Sequence, residues 1–214
     1  MATISKYLAN KLIDLRRGQP FTWPGTEYYA YFTSTHGPRA NSFTYAVNNT
    51  MSVVSNDGKT NLYKATAITT GISAASQGAL FTGASNEVVV DGGVTWTEQT
   101  TGVKDGTALV EATGGGYARV AVVGSLANYS GTQGAGTTTA SSGTSNTMSN
   151  NVAIAQAGNA SANLGFFWGW GTYDASTAGN LLLVDGLAAA KTVNSGDPYP
   201  SVAIGQHTYQ VDTV

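Results

Sequence analysis

Few residues in this chain are of a type that does chemistry. His36 stands in a Gly-Pro turn, His207 falls in a late strand-like run, and there is no cysteine. Nucleophilic catalysis needs a base held beside an activated hydroxyl, and the chain has no G-x-S-x-G elbow. Transition-metal ligation would have to rely on carboxylates, yet no H-x-x-x-H or D-x-D-x-D spacing occurs and the acids are scattered singly. Paired carboxylates for glycoside hydrolysis need only meet in space. Asp174, Asp185 and Asp197, however, sit beside Gly, Asn, Ala or Ser as turn residues do. The expectation is a protein with no catalytic residues, no metal site and no cofactor.

Two glycine-rich stretches invite comparison with phosphate loops. In "GGGYARVAVV" (114–123) no Lys-Ser or Lys-Thr follows the glycines, and the sequel has strand propensity where a phosphate loop opens a helix. "GTQGAGTTT" (131–139) also lacks lysine and runs on into polar sequence. Three consecutive glycines instead let the chain turn tightly into a strand. In that strand Tyr117 and Arg119 share the more polar face, with Arg119 set to pair with an acid either within the fold or across a subunit boundary.

The elements that must position these residues are mostly strands. "ISKYLANKLIDLRRG" spaces Ile4, Leu8, Leu12 and Leu15 as one stripe of a helix capped by Thr3 and stopped by Gly18 and Pro20. The stripe predicts a helix covering one face of a sheet. Beyond residue 26 short apolar or alternating runs are punctuated by Gly, Asn, Asp and Ser. The predicted strands are Glu27–Thr33, Thr50–Ser55, Leu62–Ile68, Val88–Val90, Val94–Thr97, Ala108–Ala112, Tyr117–Val123, Asn151–Gln156, Ala162–Trp168, Leu181–Leu187 and Gly205–Val211. The class is all-β, a jelly-roll-like or Ig-like β-sandwich with one short N-terminal α-helix and a small inserted β domain. Turn-rich junctions at "HGPRA" and "QTTG" bracket the insert, giving an anchoring domain of 1–39 and 103–214 and a module of 40–102. Residues 128–150, nearly free of charge and of large apolar side chains, read as a long loop or an arm ordered on a neighbour.

Only 10% of the 214 residues are charged, against roughly 25% in an average globular chain. Such surfaces bury against other subunits with few ions to desolvate. The net charge of −2 gives no electrostatic case for nucleic acid, although Lys6, Lys11, Arg16 and Arg17 crowd into the first 17 positions. Those positions carry charges among their apolar residues, unlike a secretion signal, and no apolar run is long enough for a membrane span. The expectation is a soluble protein made in a cytoplasm.

Five stretches in order, "SKYLANKLIDLRRG", "YYAYFTST", "EATGGGYARVAV", "WGTYDASTAGNLLLVDGL" and "KTVNSGD", resemble a widespread family of bacteriophage virion proteins. Its members are labelled tail-fibre-like, and some relatives are capsid decoration or cement proteins. The matches span 1–35 and 108–214; Ala178 replaces a family glycine, and Trp168 is an extra tryptophan beside Trp170. Residues 40–102 are similar to a small β module of phage structural proteins, distantly reminiscent of chitin-binding modules, at positions including Tyr45, Gly58, Tyr63, Asp91, Gly92 and Trp96. Asn48 or Asn49 stands there for the module's usual glycine.

The resemblance implies a structural virion protein on the capsid surface, most simply a decoration protein that binds the major capsid protein and itself as a homotrimer. Lys11, Arg16, Arg17, Tyr117 and Arg119 are then the candidate assembly residues. The alternative is a tail-fibre or receptor-binding protein whose module binds host-surface carbohydrate through Tyr45, Tyr63 and Trp96. Against that stands the need of a module this small for its aromatics as core. No nucleic-acid or membrane partner is expected.

Overall fold

The computed structural model describes residues 3–56, 60–77, 81–130 and 147–210. Gly58, Val211 and most of the polar stretch 128–150 lie outside them. The described elements run β1 (Thr3–Ile4), α1 (Lys6–Arg16), β2 (Thr26–Ser34), β3 (Thr50–Val54), β4 (Thr60–Ile68), β5 (Val88–Asp91), β6 (Val94–Glu98) and α2 (Thr100–Lys104). They continue with β7 (Val120–Val123), β8 (Tyr129–Ser130), β9 (Thr147–Asn150), β10 (Ile154–Ala155), β11 (Gly165–Tyr173), β12 (Leu181–Val193), β13 (Ser201–Val202) and β14 (Thr208–Gln210). The fold is all-β and sandwich-like, built from antiparallel sheets.

The central sheet has the order β1-β12-β11-β2-β7, and it is buried on both faces. Along β2, Tyr29 and Tyr31 point into one core with Val122, Phe167, Trp170 and Val202. Ala30 and Phe32 point into the other with Trp168, Leu181, Val184 and Leu62. Burial on both faces explains why β2 reads as a nearly continuous apolar run. The small sheets β8–β9–β14 and β10–β13 belong to the first side, where Tyr129, Ile154 and Val202 join the core. A shift of register between Phe167 and Gly169 makes Trp168 a bulge residue. That bulge sends the two neighbouring tryptophans to opposite cores, a use for the extra one.

Strands β3–β4–β6–β5 form a separate four-stranded sheet around Tyr45, Met51, Val53, Tyr63, Phe81 and Trp96. A Cβ on Gly92, whose φ is +63°, would stand 2.6 Å from the Ile72 carbonyl oxygen. This turn therefore takes only glycine. Of the two candidate asparagines, Asn48 is the one in the left-handed region, at φ 71°.

Several expectations need correction. Ser5, and not Thr3, caps α1: its Oγ accepts from Leu8 N at 3.1 Å, because Thr3 and Ile4 are tied to Val184 and Leu183 as a strand. The helix does not bury its stripe. Leu8 is buried against Leu182 and Leu183, whereas Leu12, Ile13 and Leu15 are 37%, 58% and 51% exposed. Ala108–Ala112 pairs with β2 at the isolated bridge Phe32–Glu111 and forms no strand. The run at Tyr117 becomes strand only from Val120, since Gly114, Gly115 and Gly116 all adopt positive φ and the turn they make extends the irregular chain. β11 starts later than expected and continues to Tyr173, and β12 continues to Val193. Short β8, β9, β13 and α2 carry too few residues for any periodicity to announce them.

Candidate functional site

Arg119 is bound inside its own chain. Its Nε and Nη2 donate to Glu111 Oε1 and Oε2 at 2.9 and 2.7 Å, the two-pronged geometry that suits a guanidinium to a carboxylate. Nη1 donates to the carbonyls of Ala175 and Ala178 at 2.8 and 2.7 Å, and the guanidinium lies 3.8 Å above the Tyr173 ring. Tyr117 completes the cluster: its hydroxyl accepts from Tyr31 N at 2.9 Å and donates to Glu111 at 3.2 Å. Burial pushes the Tyr117 hydroxyl well above the usual tyrosine range, so it acts as a neutral donor. Of the two pairings open to Arg119, the structure contains the one within the fold. It clamps the 174–180 turn onto the glycine corner that begins the run into β7.

A second clamp escaped the sequence reading. Arg39 Nε and Nη2 donate to Asp91 Oδ2 and Oδ1 at 2.8 and 2.7 Å, and Nη2 also reaches the Ala74 carbonyl at 2.8 Å. Both side chains are buried, 2% and 0% exposed. In the sequence Arg39 belongs to the turn-rich junction "HGPRA", and Asp91 is one of the positions that match the β module. Fifty-two positions separate them, and nothing in either local pattern names the other. Together they tie the segment leading into β3 to the end of β5.

The aromatics considered for sugar binding serve packing. Tyr45, Tyr63 and Trp96 are 3%, 0% and 0% exposed. Tyr45 meets Trp96 edge-on at 4.8 Å, and Tyr63 meets Phe81 at 4.9 Å. No ring face is open for stacking on a sugar. The module is small and spends these side chains on its core.

Lys11, Arg16 and Arg17 stand on or just after α1. Lys11 Nζ lies 5.6 Å from the Tyr7 ring centroid, Arg17 pairs with Asp14 at 3.3 Å across an exposed surface, and Arg16 is exposed. Their neighbours are the uncovered Leu12, Ile13 and Leu15. α1 therefore carries exposed apolar side chains, Leu12 and Leu15 on the side of Leu8 and Ile13 away from them, interspersed with cations.

The histidines are structural. His36 Nε2 lies 2.9 Å from Asn49 Oδ1. His207 is fully buried with Tyr29, Tyr129 and Trp170 edge-on around it. Its desolvation lowers the imidazole pKa to about 4. Asp174 and Asp197 cap turns, accepting from Asn180 N and Asn194 N at 2.7 and 2.8 Å. Asp185, expected as a turn residue, is within β12 opposite Trp170. Among the described residues no group of three His, Asp or Glu side chains is placed to hold a metal ion, and no helix is long and apolar enough to cross a membrane.

An all-β chain whose strongest polar contacts fasten its own turns is built like a structural protein, and comparison with known families puts it among those of bacteriophages. Residues 94–210 match the family model described as Podophage GP4 fiber I protein gp80; this is more than half of the chain, and the chain belongs to that family. The match takes in both partners of the Arg119 clamp and the whole of β11 and β12, and it begins at the first residue of β6. No curated protein matches the chain.

Proposed function

We propose that the protein is a fibre-type appendage subunit of a podophage virion that joins its particle through α1. The observation that carries this reading is the set of exposed aliphatic side chains along the later turns of that helix. Ser5 and Leu8 lock its first turn to β12, while Leu12, Ile13 and Leu15 remain exposed. Leu12 and Leu15, three residues apart, are neighbours on the helix surface, and adjoining exposed apolar side chains support an interaction site there. Four cations and one acid between Lys6 and Arg17 favour a partner surface that carries carboxylates.

The family description favours a fibre over a shell cement. Decoration of the major capsid protein would draw on the same helix, and copy number separates the two: a small multiple of the tail's symmetry for a fibre, or a number near that of the shell's own subunits for a cement. Assembly as a homotrimer and outward projection of the 40–102 module complete the reading, with no catalytic activity required of the chain.

The test uses phage carrying Leu12→Ser, Ile13→Ser and Leu15→Ser together. Virions should lose the protein while the purified variant keeps the wild-type melting temperature. Incorporation at the wild-type level would overturn the reading. Counting copies in wild-type virions decides between fibre and cement.

A further inference from the structure

The four-stranded sheet of the 40–102 module has two edges, and the chain treats them differently. Along β3 it covers its own edge: His36 N donates to Thr50 O at 2.9 Å, Arg39 N to Ser52 O at 3.2 Å and Ser52 N to Gly37 O at 3.4 Å. β5 is the last strand on the other side, and among the described residues no backbone group is bonded to its outer edge. We propose that β5 is a two-fold interface on which a second copy of this chain pairs its own β5, antiparallel, joining the two four-stranded sheets into one. The surface lies away from α1, and a three-fold contact elsewhere on the chain leaves this axis free.

The register follows from the pairing with β6. Glu98 N donates to Glu87 O at 2.9 Å, and the direction of bonding alternates along a strand. Val89 and Asp91 therefore turn their N–H and C=O toward β6, and Val88 and Val90 turn theirs outward. An antiparallel partner sets outward residues opposite outward residues, so Val88 faces the second copy's Val90 and each such pair exchanges both N–H···O bonds. Centring the axis on Val88 would oppose Val90 to Asn86, and centring it on Val90 would oppose Val88 to Gly92. Asn86 and Gly92 are in the left-handed region, at φ 59° and 63°, and cannot continue a ladder. The axis therefore passes beside Val89.

Charge selects a copy over a foreign partner. Bare edges are ordinarily guarded by lysine, proline, a bulge or an inward charge, yet positions 88–90 are all valine. The flanking carboxylates are spent inside the module, Asp91 on Arg39 and Glu87 on the Tyr63 hydroxyl and on Gly83 N at 2.9 Å. Across a two-fold axis a charge beside the edge would meet its like, so a neutral edge is what self-pairing requires. A foreign partner is instead steered by opposite charge. Val88 and Val90 are 66% and 65% exposed on the face that carries Thr97 and Thr95 of β6, and pairing brings the valines of both copies together out of water. Because β3 is already covered, this sheet cannot add further copies and the assembly closes at two.

The chain has no cysteine, so cysteines introduced into the full chain report the register directly. Opposed residues of a bonded antiparallel pair have Cα atoms about 5.5 Å apart, within disulfide reach, whereas residue 88 and its own counterpart stand on a diagonal beyond about 7 Å. A mixture of Val88→Cys and Val90→Cys chains should form the mixed disulfide at least ~tenfold faster than Val88→Cys alone or than Val123→Cys, an exposed strand position on another sheet that reports random collision. In sedimentation the wild-type mass should double as protein concentration rises, and Val90→Lys, at an exposed position, should abolish the doubling while keeping the wild-type melting temperature. Cross-linking no faster than in the Val123→Cys control, equal cross-linking of Val88→Cys with itself, or a mass that never doubles would each overturn the proposal. The chain with serine at 12, 13 and 15 should cross-link as the unaltered chain does, so failure here leaves the α1 reading untouched.

Discussion

The imidazole of His207 meets the indole of Trp170 edge-on at 4.8 Å, and neither ring nitrogen of the histidine has a hydrogen-bond partner. The native state thus holds a base that it cannot protonate without placing a charge among aromatic rings. With its pKa lowered from 6.5 to about 4, the unfolded chain takes up the proton first. Stability is fully present above pH 6.5 and falls as pH drops toward 4, by about 3 kcal/mol from this group alone. Glu27, Tyr29 and Tyr129 share the surroundings. Burial raises the Glu27 carboxyl above 4.5, so protonating it on acidification offsets part of the loss. His207→Phe should flatten the dependence of melting temperature on pH between 6.5 and 4; an unchanged slope would show that the histidine does not govern it.

Arg119→Ala strips two carbonyls and the Glu111 carboxylate of their donors. The expected loss is about 2–3 kcal/mol in urea unfolding, with faster proteolysis at the 174–180 turn. Lysine at this position should recover less than half, since an ammonium cannot span both carboxylate oxygens and both carbonyls. Because the clamp is internal, the oligomeric state should stay that of wild type, which size-exclusion with light scattering reads directly.

For Arg39 and Asp91 the informative measurement is a double-mutant cycle. Asp91→Ala strands a buried guanidinium and should cost about 3–5 kcal/mol. Arg39→Met combined with Asp91→Ala should be less destabilised than Asp91→Ala alone, because no buried charge is left unpaired. A double-variant loss equal to the sum of the losses of Asp91→Ala and Arg39→Met alone would mean that the ions contribute nothing to each other.

Ala178 adopts φ 51°, where a Cβ is strained, and its carbonyl is held by Arg119. Ala178→Gly, which restores the residue seen in the resembling family, should stabilise the chain by about 0.5–1 kcal/mol. Relief of strain and the larger entropy of glycine when unfolded act in opposite directions. A loss of stability on thermal unfolding would show that the entropy term wins.

Along α1 the depth of burial predicts a gradient. Leu8→Ala should cost about 2–4 kcal/mol, as a fully buried leucine does, and Leu15→Ala less than about 0.5 kcal/mol. Chemical denaturation of the isolated protein measures both. A large loss at Leu15 in the isolated protein, where no virion partner is present, would mean that the helix face is already covered by another copy.

Much of the fold was legible because apolar alternation and turn chemistry act over a few residues. The strands at 26–34, 50–54, 60–68, 88–91 and 94–98 stand close to where the pattern sets them, since Val, Thr and Tyr runs between Gly and Asn turns have few other ways to bury themselves. The aromatics of 40–102 became core for the size reason weighed from composition. Short β8, β9 and β13 were not legible, because two to four residues carry no period.

By itself the sequence determined the all-β class, the helix at 6–16 and the turn at Gly114–Gly116, each dictated by local propensity and chirality. Tertiary structure alone decided that Arg119 binds Glu111 and the 175–178 turn, that Arg39 binds Asp91, and that Leu12 and Leu15 stay uncovered. An ion pair or a buried face is a property of two segments brought together, and its energy depends on a distance that no single segment contains.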